Sequence, residues 1–435
     1  MYIAQQIAAH AVTHVIAGRN LNIVLPQALA LFPSASPQQR GAAADLSYGT
    51  LRHLGEINAY LDLLLSKQPT DAIILGLMQV ALYQLLYDEA EAFTVVNQAV
   101  NAAQYRKKTW AKSLVNAVLR NFIRQKTTLS TQLNNNEVAT FSYPQWWINK
   151  IRNQYPKQWQ EILSIGNTHP PMILRVNQRK ISTNDYLEKL QQHNIKADFL
   201  GGASIQLNRP LHVEKIPGFS DGLVSVQDRG AQLAAELLRI HPNQNTLTPS
   251  KLRVLDACCA PGGKTGHILE LAGVEMLAID HDSSRLEKVK SNLDRLQLKA
   301  TLKVGDAANP ETWWDGQLFD RIIADVPCTA SGVVRRHVDI KWLRQPMDIQ
   351  RFAEQQTKIL PSLWRLLKSK GFMLYVTCSI FEEENQAQIT QFLANHADAT
   401  LQPLELVYNH VSHQHGQLIP SHTHDGFFYA LLQKN

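Results

Sequence analysis

From about residue 225 to the C-terminal end, strand-like apolar runs alternate with helical runs, and this pattern limits the fold more than any other feature. Candidate strands fall at 253–257, 275–279, 300–304, 321–324 and 372–376, with a last one at 427–432. Helical spacing fills most of the gaps, at 264–272, 284–296, 346–367 and 382–395. Nearly continuous apolar strands must be covered on both faces, so the expectation is a doubly wound, mainly parallel sheet, a Rossmann-like α/β domain over 225–435. Such sheets take ligands outside the carboxyl ends of their strands. The residues that end each strand are therefore where chemistry is expected.

The rest of the chain reads differently. Residues 1–126 carry apolar residues at helical spacing, such as Leu61, Leu64 and Leu65, then Ile74, Leu77, Val80, Ala81 and Leu85. Pro69-Thr70-Asp71 is a helix start ahead of the second run. An all-α N-terminal domain is expected there. Residues 127–140 turn to Thr, Ser, Gln and Asn and read as a linker. Residues 141–224 mix a Trp-rich helix at 144–155, a strand at 173–177, a helix at 183–193 and short strands, and suggest a small α+β module.

The most apolar stretch, 72–87, is broken by Gln79 and Gln84 and is shorter than the roughly 18 residues of a membrane span. The first twenty residues include His10 and His14 and lack a basic start and a cleavage site, so no signal peptide is expected. Cytoplasmic placement without membrane contact follows as an expectation. The four cysteines, Cys258, Cys259, Cys328 and Cys378, show no C-x-x-C pair, which suggests free thiols and no metal. The net charge of +6 is a mild hint of a polyanionic partner, and equally that of an ordinary basic protein.

The first strand runs into Cys258-Cys259-Ala260-Pro261-Gly262-Gly263-Lys264-Thr265 and then a helix. A glycine turn there lets backbone N–H groups approach a ligand, although by itself it is weak evidence. Asp280 ends the next strand, where a carboxylate can take ribose hydroxyls, and Asp306 ends the third, where one can accept from an adenine amino group. The turn lacks the G-x-G-x-x-G of dinucleotide sites, and no glycine stands at position 258 to complete a P-loop. S-adenosylmethionine is the cofactor expected, held by 258–264, Asp280, Asp306 and Asp325.

Two strands end in thiols, Asp325-Val326-Pro327-Cys328 and Thr377-Cys378-Ser379. A thiolate nucleophile needs activation, and either cysteine could be activated by its surroundings. A buried, inert thiol is the better reading of Cys258 and Cys259. A methyltransferase needs a thiol when its target is a poor carbon nucleophile. Thiolate addition at carbon 6 of cytosine makes carbon 5 enamine-like, with Asp325 stabilising charge at the N3 edge.

These segments, with Asp256-Ala257-Cys258-Cys259-Ala260-Pro261-Gly262-Gly263-Lys264 and Val376-Thr377-Cys378-Ser379, resemble the signatures of the NOP2/Sun family of RNA cytosine-5 methyltransferases. Leu114-Val115-Asn116-Ala117-Val118-Leu119-Arg120 resembles the helical NusB domain, and that fusion is similar to bacterial family members acting on 16S rRNA. The resemblance implies that Cys378 attacks the base and Cys328 assists product release. Cys259 departs from the alanine usual there.

Cations mixed with aromatics suggest RNA contact at Arg106, Lys107 and Lys108, and again at Arg335, Arg336 and Lys341 close to Cys328 in sequence. Leu174-Arg175-Val176-Asn177 resembles a motif of the family's RNA-facing module, which nominates Arg175. Small-subunit rRNA is the expected partner, bound by a monomer. A tRNA cytosine, a small-molecule substrate and a non-catalytic rRNA-binding assembly factor are the rivals. The paired thiols count against the last two.

Overall fold

The computed structural model describes residues 2–105, 109–240, 251–404, 407–408, 411–412 and 416–435. Arg106, Lys107 and Lys108 lie outside the described residues. The chain forms two compact units, Met1–His169 with Val334–Pro346, and Pro170–Val333 with Met347–Asn435.

The first unit is helical: α1 (Tyr2–Ile16), α2 (Leu21–Ala30), α3 (Pro37–Arg52), α4 (Leu54–Leu64), α5 (Ala72–Tyr87), α6 (Ala92–Tyr105), α7 (Thr109–Leu133), α8 (Glu137–Phe141), α9 (Gln145–Gln154) and α10 (Trp159–Ile165), joined by α15 (Ile340–Leu343). Asp71 caps α5 as expected, accepting from the Ile73 and Ile74 N–H groups at 3.0 and 3.3 Å. The two glutamines that interrupt the apolar run of α5 find hydrogen-bond partners inside the bundle, although Gln79 Oε1 has none among the described residues. Gln5 Nε2 donates to Gln84 Oε1 at 2.7 Å, and Gln79 Nε2 to Asn58 Oδ1 at 2.8 Å.

The expected linker is instead helix. α7 continues to Leu133 because Phe122 and Leu129, seven residues apart, stay on its buried stripe. Asn136 then caps α8, accepting from the Ala139 N–H at 3.0 Å. A polar composition here marks the outer face of a helix. α9 and α10 also pack within this first unit.

The segment 334–346 returns to the helical unit and buries Arg335 and Lys341, which corrects the RNA-facing role expected of those two cations. Lys341 is fully buried, and its Nζ donates to Arg52 O at 2.8 Å, Ser142 O at 2.9 Å and Asn167 Oδ1 at 2.7 Å. Burial, reinforced by Arg52, holds its amine well below the usual lysine range. Arg335 is buried too, and its carbonyl accepts from Arg52 Nη2 at 3.1 Å; Arg336 is half-buried.

The second unit opens with β1 (Met172–Val176), α11 (Thr183–Gln192), β2 (Ala197–Gly201), β3 (Ser204–Leu207) and β4 (Val224–Val226). Its strands form an antiparallel sheet ordered β2-β3-β1-β4 over a core including Leu174, Tyr186, Leu190 and Ile205. Next come α12 (Arg229–Leu237), β5 (Arg253–Ala257), α13 (Gly263–Leu271), β6 (Glu275–Asp280), α14 (Ser283–Leu296), β7 (Thr301–Val304) and β8 (Phe319–Asp325). The chain ends with α16 (Pro346–Trp364), β9 (Leu367–Thr377), α17 (Gln386–Asn395), β10 (Ala399–Gln402), the short pair β11 (Val407–Tyr408) and β12 (Val411–Ser412), then β13 (Gln417–Leu418) and β14 (Phe427–Lys434).

The large sheet runs β10-β14-β9-β8-β5-β6-β7, with β13 beside β14. Strands β9, β8, β5, β6 and β7 pair in parallel, while β14 joins antiparallel to β9 and β10. This bears out a Rossmann-like, mainly parallel sheet with an antiparallel edge.

Arg175, also expected to face RNA, is buried on β1. Its guanidinium grips Glu270 of α13 through Nε at 2.9 Å and Nη2 at 2.8 Å. Its Nη1 donates to Gly263 O at 2.9 Å and to Gln227. The fork is a bidentate ion pair tying the small sheet to the helix after the glycine turn.

Lys341→Ala should destabilise the protein by on the order of 3 kcal/mol, because it orphans buried acceptors. It should leave the salt dependence of RNA binding unchanged. A phosphate-contacting lysine would show the reverse pattern in melting and salt titrations.

Candidate active site

Strand register brings the expected site residues to one edge. Ala257 pairs with Ile279 and with Ala324, Asp280 with Val304, and Asp325 with Val376. The residues that end β5, β6, β7, β8 and β9 therefore emerge together, next to one another across the sheet.

The turn after β5 is tightly held. The Cys259 N–H donates to Ile279 O at 2.9 Å, the Ala260 N–H to Asp280 Oδ2 at 3.1 Å and the Gly262 N–H to Cys259 O at 2.7 Å. Three N–H groups expected to face a ligand are thus satisfied within the protein. The N–H groups of the first turn of α13, at Gly263 to Thr265, have no intrahelical acceptor by construction of a helix. Gly262 has a φ of 91°, and a Cβ there would sit 3.0 Å from Val289 Cγ1 and 3.2 Å from Val289 Cα, so only glycine fits. A Cβ on Gly263 would meet only Gln227, the nearest atom at 3.5 Å, which leaves that side open.

Asp280 is buried and accepts additionally from the Asp282 N–H at 3.2 Å, with Arg285 Nη1 at 3.7 Å. Asp306 is exposed in its own turn and accepts from the Ala308 N–H at 2.9 Å and Asn309 Nδ2 at 2.5 Å. Asp256 is wholly buried; Thr265 Oγ1 donates to its Oδ2 at 2.6 Å, while Oδ1 has no hydrogen-bond partner among the described residues. An open helix start, strand-end carboxylates and an orphaned acceptor suit a nucleoside-type cofactor.

Lys264, expected with the cofactor turn, reaches the end of β8. Its Nζ lies 2.5 Å from Asp325 Oδ2. Burial works against its charge, but Asp325, Cys378 and Asp256 outweigh it and hold the ammonium above the usual lysine range.

Cys328 Sγ and Cys378 Sγ are 3.4 Å apart. The hydrogen bond to Cys378, then burial, then the charge of Glu384 push the Cys328 thiol well above the ordinary cysteine range. Cys328 is therefore a proton-bearing thiol able to donate to Cys378. Burial first, then neighbouring carboxylates, drives the Cys258 and Cys259 thiols up.

Sequence reasoning missed the residues behind the thiols. The hydroxyl residues that follow them, Thr329 and Ser379, converge on Glu384, which is fully buried. Asn385 accepts from Thr377 Oγ1 at 2.5 Å and donates to Ser379 O at 2.9 Å. The signal was present as a hydroxyl after each cysteine and the acidic run Glu382-Glu383-Glu384.

A Rossmann-like sheet with a glycine turn after its first parallel strand and strand-end acids defines the methyltransferase class of fold. Family models match along the chain: the NusB family over residues 3–124, the ferredoxin-like domain of RsmF/B-like methyltransferases over 143–214, and the 16S rRNA methyltransferase RsmB/F over 244–433. The ribosomal RNA small subunit methyltransferase B of Proteus mirabilis is 42% identical, covering 100% of this chain and 99% of its own. That of Yersinia enterocolitica is 41% identical, with the same coverage. The crystal structure of PH0851 superposes with a TM-score of 0.80 at 22% identity, covering 100% of this chain and 99% of that one. A methyltransferase homolog from Pyrococcus horikoshii gives a TM-score of 0.57 at 25% identity, over 68% of this chain and 97% of that one.

This chain belongs to the RsmB/F family of 16S rRNA methyltransferases.

Burial pushes the Asp256 carboxyl up to about 7, with Thr265 opposing and Asp325 adding. The folded state then binds more protons than the unfolded state between the ordinary carboxylate pKa and about 7, so stability falls as pH rises through that window. Asp256→Asn should flatten this dependence, which spans on the order of 4 kcal/mol. Melting at pH 4 and pH 8 measures it; equal slopes in both proteins would remove Asp256 as the cause.

Proposed function

We propose that this chain transfers a methyl group from S-adenosylmethionine to carbon 5 of one cytosine in 16S rRNA, through a covalent adduct between Cys378 and carbon 6. The observation that carries this reading is the 3.4 Å approach of two thiols beside the Lys264–Asp325 ion pair. Methylation at oxygen or nitrogen needs no thiol, and a second one in contact is harder still to explain for such a target.

The turn 258–264, Asp280 and Asp306 would hold the cofactor, with Asp325 at the edge of the same pocket. Bound S-adenosylmethionine supplies the methyl group as an electrophilic sulfonium. Cys378 adds as thiolate to carbon 6, forming a carbon–sulfur bond and shifting the ring's electron pair toward carbon 5. The Lys264 ammonium, oriented by Asp325, stabilises the negative charge that develops at the N3 edge. After methylation the carbon 5 proton leaves to a base, the double bond re-forms and the Cys378 thiolate departs. Cys328, kept protonated by its surroundings, is suited to protonate Cys378 as it leaves, in line with the product-release role that the family resemblance implies.

The rRNA substrate rests on the relatives named rRNA small subunit methyltransferase B. No helix among the described residues is long and apolar enough to cross a membrane. A cytoplasmic monomer with RNA contacts at Arg106, Lys107, Lys108 and the half-buried Arg336 completes the proposal.

Cys378→Ala should abolish methyl transfer and form no adduct. Cys328→Ala should attack and then stall, leaving RNA attached to protein on a denaturing gel, because addition and elimination are separate steps. A trapped complex with Cys378→Ala alone would exchange the two roles. Full activity in both variants would sink the covalent route. Bisulfite sequencing of 16S rRNA from a deletion strain tests the substrate: an unchanged cytosine pattern would refute it.

A further inference from the structure

The structure assigns Glu384 the role of a positioning residue that sets the spacing of the two thiols. Cys378 is the first residue beyond β9, but Cys328 is the third beyond β8, past the reach of the strand ladder that ends at Asp325 and Val376. Backbone pairing between the two strands therefore does not by itself hold Cys328 opposite Cys378. A shared side chain does. Glu384 Oε1 accepts from the Thr329 N–H at 2.7 Å, and Oε2 accepts from Thr329 Oγ1 and from Ser379 Oγ, both at 2.5 Å. The residue after each thiol thus donates to one buried carboxyl group.

The support around it is complete on both sides. Ser379 Oγ lies 2.9 Å from Ser331 Oγ and accepts from the Phe381 N–H at 3.0 Å, while the Ile380 N–H donates to Ser331 Oγ at 2.9 Å. Tyr375 Oη donates to Glu384 O at 2.6 Å, fixing the backbone of the clamp itself. One carboxyl group accepting three hydrogen bonds thus joins the residues that follow both thiols, alongside the backbone bond from the Gly332 N–H to Cys378 O at 2.9 Å. Glu384 is fully buried and does not touch the reacting atoms; it acts through Thr329 and Ser379. The catalytic consequence rests on the two-thiol reading above, whereas the geometric one does not. Release, which needs both thiols in contact, should suffer more than attack, which needs one.

Phenylarsine oxide reads the geometry without RNA or cofactor. It condenses with two thiols to form two As–S bonds and release one water, and so binds tightly only where two sulfurs can reach one arsenic. Capture at Cys328 and Cys378 is scored by their protection from alkylation after denaturation, mapped by peptide mass. The wild-type protein should capture the arsenical, and Glu384→Ala should weaken capture at least tenfold. Glu384→Gln, which keeps an acceptor for the Thr329 N–H, should recover most of the loss. On rRNA, Glu384→Ala should lower kcat with little change in cofactor KM and raise the fraction of RNA trapped on protein. Equal capture by wild type and Glu384→Ala, or no capture by wild type, would overturn the clamp. Weakened capture with unchanged turnover and adduct level would overturn its catalytic role. If capture differs but neither protein methylates rRNA, the clamp stands and the proposed activity falls. Should Glu384→Ala fail to fold by circular dichroism, Thr329→Val and Ser379→Ala each remove one arm and carry the same test.

Discussion

Parallel pairing of β8 with both β5 and β9 is the constraint on which the rest of this molecule depends. Parallel strands in register end at the same level, and here the shared level collects Ala257, Ala324, Asp325 and Val376. The cofactor turn follows one of these strands and the two thiols follow the others. No long-range loop is needed to bring these strand ends together, because the sheet has already done so.

Beyond the strand ends, electrostatics in a dry setting takes over. Asp325, 2.5 Å away, helps hold the Lys264 ammonium charged against burial, and Cys328 is kept neutral by its bond to Cys378 and by burial. A charged pair and an uncharged thiol thus follow from the different partners that burial leaves each group. Buried cations elsewhere serve architecture. Arg175 holds the start of α13 from β1, and Lys341 gathers acceptors from separate parts of the helical unit. A buried cation is maintained only by specific partners, so its removal is costly wherever it sits.

Local pattern made much of this legible. The strands of the large sheet follow their apolar runs to within a few residues, Asp71 caps the helix that Pro69-Thr70-Asp71 announces, and the cysteines and acids fall at strand ends as their spacing suggested. The failures share one cause. Residues 127–133 look like a linker because an exposed helix face is polar whether or not it is helical, and one apolar residue every seven is a faint signature. Arg335 and Lys341 look like RNA contacts because composition reports charge and not direction, and the motif resemblance that nominates Arg175 likewise does not say where its side chain points.

What the sequence determined by itself is therefore the alternation of strands and helices, the glycine turn, the thiols and the acids, since each is written in a run of neighbouring residues. Only the tertiary structure decided that Lys264 would meet Asp325, that the two thiols would stand 3.4 Å apart and that Glu384 would tie their loops together. Those pairs are separated by 61, 50 and up to 55 positions along the chain, and nothing local encodes such distances. They follow from strand order, which depends on how a whole sheet buries both of its faces at once.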